Sequence, residues 1–75
     1  MSNCKVYGTE RDTGPGELAA LAARDRVNKA HGTWAVTLAY NSGTTAAVYT
    51  SAVATADQLQ KAFEAVFPQY NVVGY

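Results

Sequence analysis

The chain has 75 residues, and its six Lys and Arg balance six Asp and Glu, so the formal net charge is zero. This length allows one domain, residues 1–75, and excludes two, while a neutral chain lacks the field that gathers nucleic acid unselectively. No apolar run approaches the roughly 18 residues of a membrane span, and the N-terminal residues lack the pattern of a secretion signal. We therefore expect a cytoplasmic protein without a membrane partner, and the single cysteine, Cys4, agrees with a reducing compartment.

The first two predicted elements are a strand and a helix. Residues 3–9 alternate between two faces, as a short strand does. Pro15 suits the first position of a helix, and Glu17 follows near the positive end of the helix dipole. We expect this helix to run to about Ala30 and to stop at Gly32, which can adopt the left-handed capping conformation.

Small residues along this helix predict a close approach to a sheet. They follow helical spacing in one stripe: Ala19, Ala23, Val27 and Ala30, with Ala20 beside it. Leu18 and Leu21 lie off the stripe, so the helix has either a wide apolar face or an exposed leucine pair.

The clearest strand pattern covers residues 33–40. Its alternation directs one set of side chains to a single face: Trp34, Val36, Leu38 and Tyr40. Residues 41–43, Asn-Ser-Gly, are typical of a hairpin turn, and residues 44–53 form the predicted return strand.

A second helix and a last strand complete the chain. Thr55 and Gln58 form a capping box, in which each side chain bonds the other's backbone N–H. An amphipathic repeat follows at Leu59, Ala62, Phe63, Val66 and Phe67. Pro68 ends the helix, and residues 70–75 are the predicted final strand.

The order β-α-β-β-α-β predicts an α+β fold. The favoured arrangement is ferredoxin-like, with a four-stranded antiparallel sheet and both helices on one face. The alternative is a three-stranded β-β-α-β core, with the first strand and helix packed differently.

Strand alternation assigns side chains to the two sheet faces. Those expected to face the helices are Val6, Trp34, Val36, Leu38 and Val48. Those expected on the open face are Lys5, Tyr7, Thr33, Thr37, Ala47, Tyr49 and Ser51, with either Val73 and Tyr75 or Tyr70 and Val72 from the last strand. A face with many tyrosines and little charge is typical of a contact site, although a solvated sheet face is the alternative.

Two sets of residues are candidates for binding a protein partner. The first set is Tyr7, Tyr49 and Tyr75 on the open face, and the second is the basic group Arg24, Arg26 and Lys29 on the first helix. Asp25 lies within the basic group, so that face is either solvated and partly self-paired or a docking patch for an acidic partner. Self-association into a homodimer, through the sheet or its edge, is a further expectation.

The sequence predicts no enzyme, because no catalytic constellation is present. Cys4 and His31 are the only cysteine and histidine, and they could meet only through the fold. We expect a buried, inert Cys4 and a His31 beside the helix C-terminus, with a Cys–His nucleophilic pair as the alternative.

Neither a metal ion nor a cofactor is expected. Glu10, Asp12 and Glu17 lack the spacing of a calcium-binding loop. Residues 14–16, Gly-Pro-Gly, are read as a helix entry, because no Lys or Ser/Thr follows as in a phosphate-binding loop.

Weak binding of single-stranded nucleic acid is the alternative function. It would use Tyr7 and Tyr49 as stacking residues on the two central strands. The expected basic residue and second aromatic are missing around Tyr49, so we expect a protein partner and not a nucleic acid.

In length and in its strand–hairpin–helix–strand layout, the chain resembles the very small phage-encoded proteins that block bacterial defence, anti-CRISPR proteins among them. The resemblance covers the whole chain and involves no matching motif, so it assigns no residue. It implies a stoichiometric inhibitor that covers a surface of a larger host nucleoprotein complex. Because the chain has no acidic surplus, this inhibition would use protein contact and not imitation of DNA.

Overall fold

A computed structural model describes residues 1–8, 13–32, 35–41 and 46–75. The elements in chain order are β1 (Ser2–Tyr7), α1 (Glu17–His31), β2 (Val36–Asn41), β3 (Ala47–Ser51), α2 (Ala56–Val66) and β4 (Asn71–Gly74). The predictions made for Glu10, Asp12, Thr33, Trp34 and the hairpin turn at 42–43 lie outside the described residues.

The four strands form one antiparallel sheet in the order β2-β3-β1-β4. Helix α1 packs against β2, α2 packs against β1 and β4, and the two helices touch each other. The ferredoxin-like prediction is therefore confirmed. The three-stranded alternative is wrong, because β1 lies between β3 and β4 in the interior of the sheet.

Helix α1 begins after Gly16 and ends at Gly32. Gly32 has a φ of 63°, which favours glycine, and its N–H donates to the Asn28 carbonyl at 2.8 Å, so the predicted stop at Gly32 is confirmed. Pro15 lies one residue before the N-cap and is buried there, instead of occupying the first helical position.

The buried stripe of α1 is rotated from the predicted one. The buried residues of this helix are Ala20, Ala23 and Val27, while Ala19 and Ala30 are exposed. At about 100° per residue, Ala20, Ala23 and Val27 lie within an arc of about 60°, and this arc is the side of the helix that is buried. Leu18 is 85% exposed while Leu21 is half-buried, so the predicted alternative of an exposed leucine pair holds for Leu18 alone.

Helix α2 follows the sequence pattern closely. The Gln58 N–H donates to Thr55 Oγ1 at 3.2 Å, and the Thr55 N–H donates to Gln58 Oε1 at 2.9 Å. Leu59, Ala62 and Phe63 are buried, so both the capping box and the amphipathic repeat are confirmed.

The alternation of β3 is opposite to the prediction. Ala47, Tyr49 and Ser51 are buried beneath the helices, whereas Val48 lies on the open face. The Tyr49 ring stacks on Phe63 with centroids 4.0 Å apart, and its hydroxyl donates to the Ala20 carbonyl at 3.1 Å. Small residues on α1 leave the volume that this large ring fills, and the hydrogen bond satisfies its buried hydroxyl.

A bulge in β2 moves Tyr40 to the open face. Leu38 pairs with Tyr49 on the helix side, but Tyr40 pairs with Val48 because the register shifts between Leu38 and Tyr40. The extra residue reverses the alternation at that point. The prediction that Tyr40 shares a face with Val36 and Leu38 is therefore wrong.

Both edge strands of the sheet form backbone hydrogen bonds with carboxamide side chains. At the β2 edge, Asn28 Nδ2 donates to the Val36 carbonyl at 3.1 Å, and the Val36 N–H donates to Asn28 Oδ1 at 3.2 Å. At the β4 edge, the Gly74 N–H donates to Gln60 Oε1 at 3.0 Å.

The two ends of the chain are paired in the sheet. Asn3 and Tyr75 exchange both backbone hydrogen bonds, each 2.9 Å long. The β1–β4 pairing therefore extends past Gly74 to Tyr75.

Candidate functional site

The sheet face away from the helices, called here the open face, is the candidate contact surface. Its residues are Asn3, Lys5, Tyr7, Thr37, Tyr40, Val48, Thr50, Asn71, Val73 and Tyr75. All four strands contribute to it, because alternate residues of each strand point away from the core.

Strand register arranges these side chains in transverse rows. Tyr40 pairs with Val48, Val48 pairs with Lys5, and Lys5 pairs with Val73. This first row crosses the whole sheet, a distance of about 14 Å at the usual strand spacing. A second row reads Thr37, Thr50, Asn3 and Tyr75.

The first row is apolar except for one ammonium group at its centre. Lys5 Nζ lies 5.3 Å from the centroid of the Tyr7 ring, within the range of a cation–π contact. Lys5 is the one charged residue among the open-face residues given above. Lys5 therefore lies between Val48 and Val73 and contacts the Tyr7 ring. The surface as a whole carries little charge.

The aromatic groups at the ends of these rows are accessible. Tyr40 is 54% exposed and Tyr75 is 58% exposed, while Tyr7 is half-buried. Tyr7 and Tyr75 therefore lie on the open face as predicted, and Val72 is buried, which selects the pair Val73 and Tyr75 for β4. Their role in binding stays a prediction.

Tyr49 is not available to a partner, because none of its surface is exposed. Burial and, to a lesser extent, the neighbouring Cys4 thiolate raise the pKa of the Tyr49 phenol. Arg24 lowers this pKa, but the net effect is an increase. The open side of β3 carries Val48 and Thr50 instead. The two central strands therefore offer one aromatic residue, Tyr7, to the open face.

The three basic residues of α1 do not form one patch. Arg24 and Arg26 are about 200° apart around the helix, so they point to different sides. Arg24 donates from two nitrogens to Asp25 Oδ1, at 3.2 and 2.9 Å. Arg26 and Lys29 are both exposed and lie on neighbouring positions of another side.

Cys4 and His31 are placed in different surroundings. Cys4 is fully buried on the helix side of β1, and His31 is exposed at the end of α1. Burial and, to a lesser extent, the carboxylate of Glu64 raise the pKa of the Cys4 thiol to about 12. A thiol that stays protonated near neutral pH is a poor nucleophile, since the thiolate is the reactive form.

The described residues contain neither a metal-binding cluster nor a membrane-spanning helix. No group of three or more His, Cys, Asp and Glu there is placed to hold a metal ion. No helix in the same ranges combines the length and apolar character needed to cross a bilayer.

Fold and surface together define a small α+β domain with a tyrosine-bearing sheet face. Comparison with protein-family models, curated proteins and solved structures found no match.

Sequence reasoning placed Tyr40 and Val48 on the wrong face, and it did not assign three further residues to the open face: Asn3, Thr50 and Asn71. Strict alternation from Trp34 to Tyr40 gave no sign of the bulge that turns Tyr40 outward. For Val48, the available signal was the neighbouring Tyr49, since a large aromatic opposite an Ala-rich helix fills volume that the alanines leave.

Proposed function

We propose that this chain is a non-enzymatic protein-binding module whose contact surface is the open face. The observation that carries the proposal is the row of Tyr40, Val48, Lys5 and Val73 across all four strands, with Tyr7 and Tyr75 beside it. Tyrosine supplies large contact area with few rotatable bonds, and charged groups are depleted at the centres of protein interfaces.

The position of Tyr49 supports a protein partner over a nucleic acid. A single-strand binder stacks bases on aromatic residues along a basic groove. Here β3 offers Val48 and Thr50 to the open face, and Lys5 supplies its one positive charge. Apolar and hydroxyl-bearing groups of this kind suit a protein surface better than a phosphate backbone.

The hydrogen bonds at the sheet edges support contact through the face. Asn28 occupies backbone groups of Val36 at one edge, and Gln60 occupies the Gly74 N–H at the other. Occupied edge groups do not pair readily with a further strand. The same argument favours the face for any self-association.

The inhibitory role expected from the resemblance to phage-encoded anti-defence proteins stays a prediction. In this proposal, the domain would block a larger host complex by covering one of its surfaces. The biochemical test is a loss of the complex's activity at one domain per binding site.

The test of the open face compares two variants with the native chain. The double variant Tyr40→Thr with Tyr75→Thr removes two exposed rings while keeping strand-forming residues. Leu18→Ser is the control, because it removes an even more accessible apolar side chain, which lies on α1 and away from the open face. Immobilised native chain captures partners from a host lysate, and titration calorimetry then measures each variant against the purified partner.

We expect the double variant to bind at least tenfold more weakly, since tyrosine is enriched among the interface residues whose truncation costs more than about 1 kcal/mol each. Leu18→Ser should bind as the native chain does. Native affinity in the double variant would refute the open face as the contact surface.

A further inference from the structure

A groove of about 430 Å³ lies between α1 and α2. Its apolar lining comes from both helices: Val27 and Ala30 from α1, with Ala62, Ala65 and Val66 from α2. Three of these five residues are alanines, so the helices present little side-chain bulk and the floor is smooth. This groove belongs to the helical layer and shares no residue with the open face.

The polar lining of the groove is basic or neutral. It consists of Arg26, His31, Gln58 and Lys61, and no acidic residue lines the groove. Lys61 contacts Asp57 at 3.2 Å in a solvent-exposed pair, which is a weak interaction. Arg26 forms no ion pair with any residue in the described ranges, so its charge is available to an anion.

The dimensions of the groove favour a small ligand over a peptide helix. Its lining on α2 extends from Gln58 to Val66, about 12 Å of helix or two turns. A partner helix in contact over two turns would be marginal, because isolated helices of that length are not stable. The volume, in contrast, falls within the usual range for small-molecule sites.

We propose that this groove binds a small anionic amphiphile, a carboxylate on a single unbranched alkyl chain. The alkyl chain would lie along the alanine floor, where its burial removes apolar surface from water. The carboxylate would lie at the rim beside Arg26 and Lys61, because these cations complement its charge.

The first experiment titrates the native chain with octanoate, decanoate and dodecanoate, each kept below its self-assembly concentration. The methyl signals of alanines, Ala30 and Ala65 among them, report binding by NMR. We expect saturable shifts confined to the groove, with affinity rising about two- to fourfold for each added methylene. Decyltrimethylammonium, which has one more alkyl carbon and the opposite charge, should still bind more weakly than decanoate.

Three variants test the geometry of the site. Arg26→Gln should weaken decanoate binding about two- to fivefold, as loss of an exposed ion pair does. Arg24→Gln is the matched control on the other side of α1, where Asp25 already pairs with the arginine, and it should leave binding unchanged. Ala65→Phe fills the groove from an exposed position and should weaken binding at least tenfold.

Circular dichroism of each variant verifies that its fold is retained. Absence of saturable dodecanoate binding to the native chain would overturn the proposal. Equal binding of the cationic and anionic decyl compounds would overturn it too, as would native affinity in Ala65→Phe. Binding only to anionic lipid vesicles, with none to monomeric carboxylates, would assign the groove to a membrane surface and also reject it.

Discussion

At the residue scale, the core depends on Tyr49 as both an apolar filler and a hydrogen-bond donor. Tyr49→Phe keeps the stacking on Phe63 and loses the bond to the Ala20 carbonyl, so we expect a loss of about 1 kcal/mol in the free energy of unfolding. Tyr49→Ala removes the ring and should cost about 3–5 kcal/mol, which approaches the whole stability of a domain this small.

Urea unfolding followed by circular dichroism measures both Tyr49 effects. Tyr75→Phe is the control, because its ring lies on the open face and 58% of the residue is exposed. Equal stability of Tyr49→Ala and the native chain would contradict the buried position of this ring.

The raised pKa of the Cys4 thiol predicts a loss of stability at alkaline pH. Well below pH 9 the thiol is protonated in both the folded and unfolded states, so it contributes no pH dependence there. Between the ordinary pKa of 9.0 and the folded value of about 12, the unfolded chain loses this proton and the folded chain retains it. The free energy of unfolding should then fall by up to about 1.4 kcal/mol per pH unit.

The raised pKa of Tyr49 adds a second decline in the same direction above its ordinary value of 10.0. Urea titrations between pH 8 and 10 measure the slope, and Cys4→Ala should flatten it within that window. A native slope that persists in Cys4→Ala would show that other groups cause it.

At the element scale, the attachment of α1 to the β2 edge depends on Asn28. Asn28→Ala removes both hydrogen bonds to Val36 and leaves two half-buried backbone groups without that partner. We expect a loss of about 1–2 kcal/mol in unfolding free energy and faster hydrogen exchange at the Val36 amide. The neighbouring exposed change Lys29→Ala should alter neither measurement, and unchanged exchange in Asn28→Ala would contradict the edge contact.

The elements also show what the sequence could and could not predict. The bounds of α2 follow from local chemistry, since the bonds between Thr55 and Gln58 need only residues that are close in the chain. Which residues of β3 point toward the helices depends on the contact between Tyr49 and Ala20, which are far apart in the chain. A strand whose two faces are both moderately apolar contains no local signal that selects one of them.

At the scale of the whole molecule, the order of elements was sufficient to predict the fold. Six short elements in this order have few compact arrangements that bury both helices against one sheet. The sequence predicted an exposed sheet face that carries tyrosines. It could not predict that Tyr40 lies on this face, because that position depends on the bulge between Leu38 and Tyr40. The groove between the helices was not foreseen, because it depends on how α1 and α2 lie relative to each other.

Lys5 is expected to limit self-association through the open face. It interrupts the apolar row between Val48 and Val73, and its charge would have to lose water before a second apolar surface could cover this row. Lys5→Val would make the row continuously apolar, so we expect increased self-association in sedimentation velocity at equal concentration. Lys29→Val on α1 is the control, and equal behaviour of the two variants would contradict this role.

The mutual backbone bonds of Asn3 and Tyr75 have a practical consequence. Any polypeptide fused before β1 or after β4 leaves the domain at one corner, next to the Tyr75 ring. Affinity tags at either terminus would therefore crowd the surface whose contacts are to be measured. Joining the two ends with a short linker and opening the chain at the exposed turn around Ala52 would give a circular permutant whose tags emerge elsewhere.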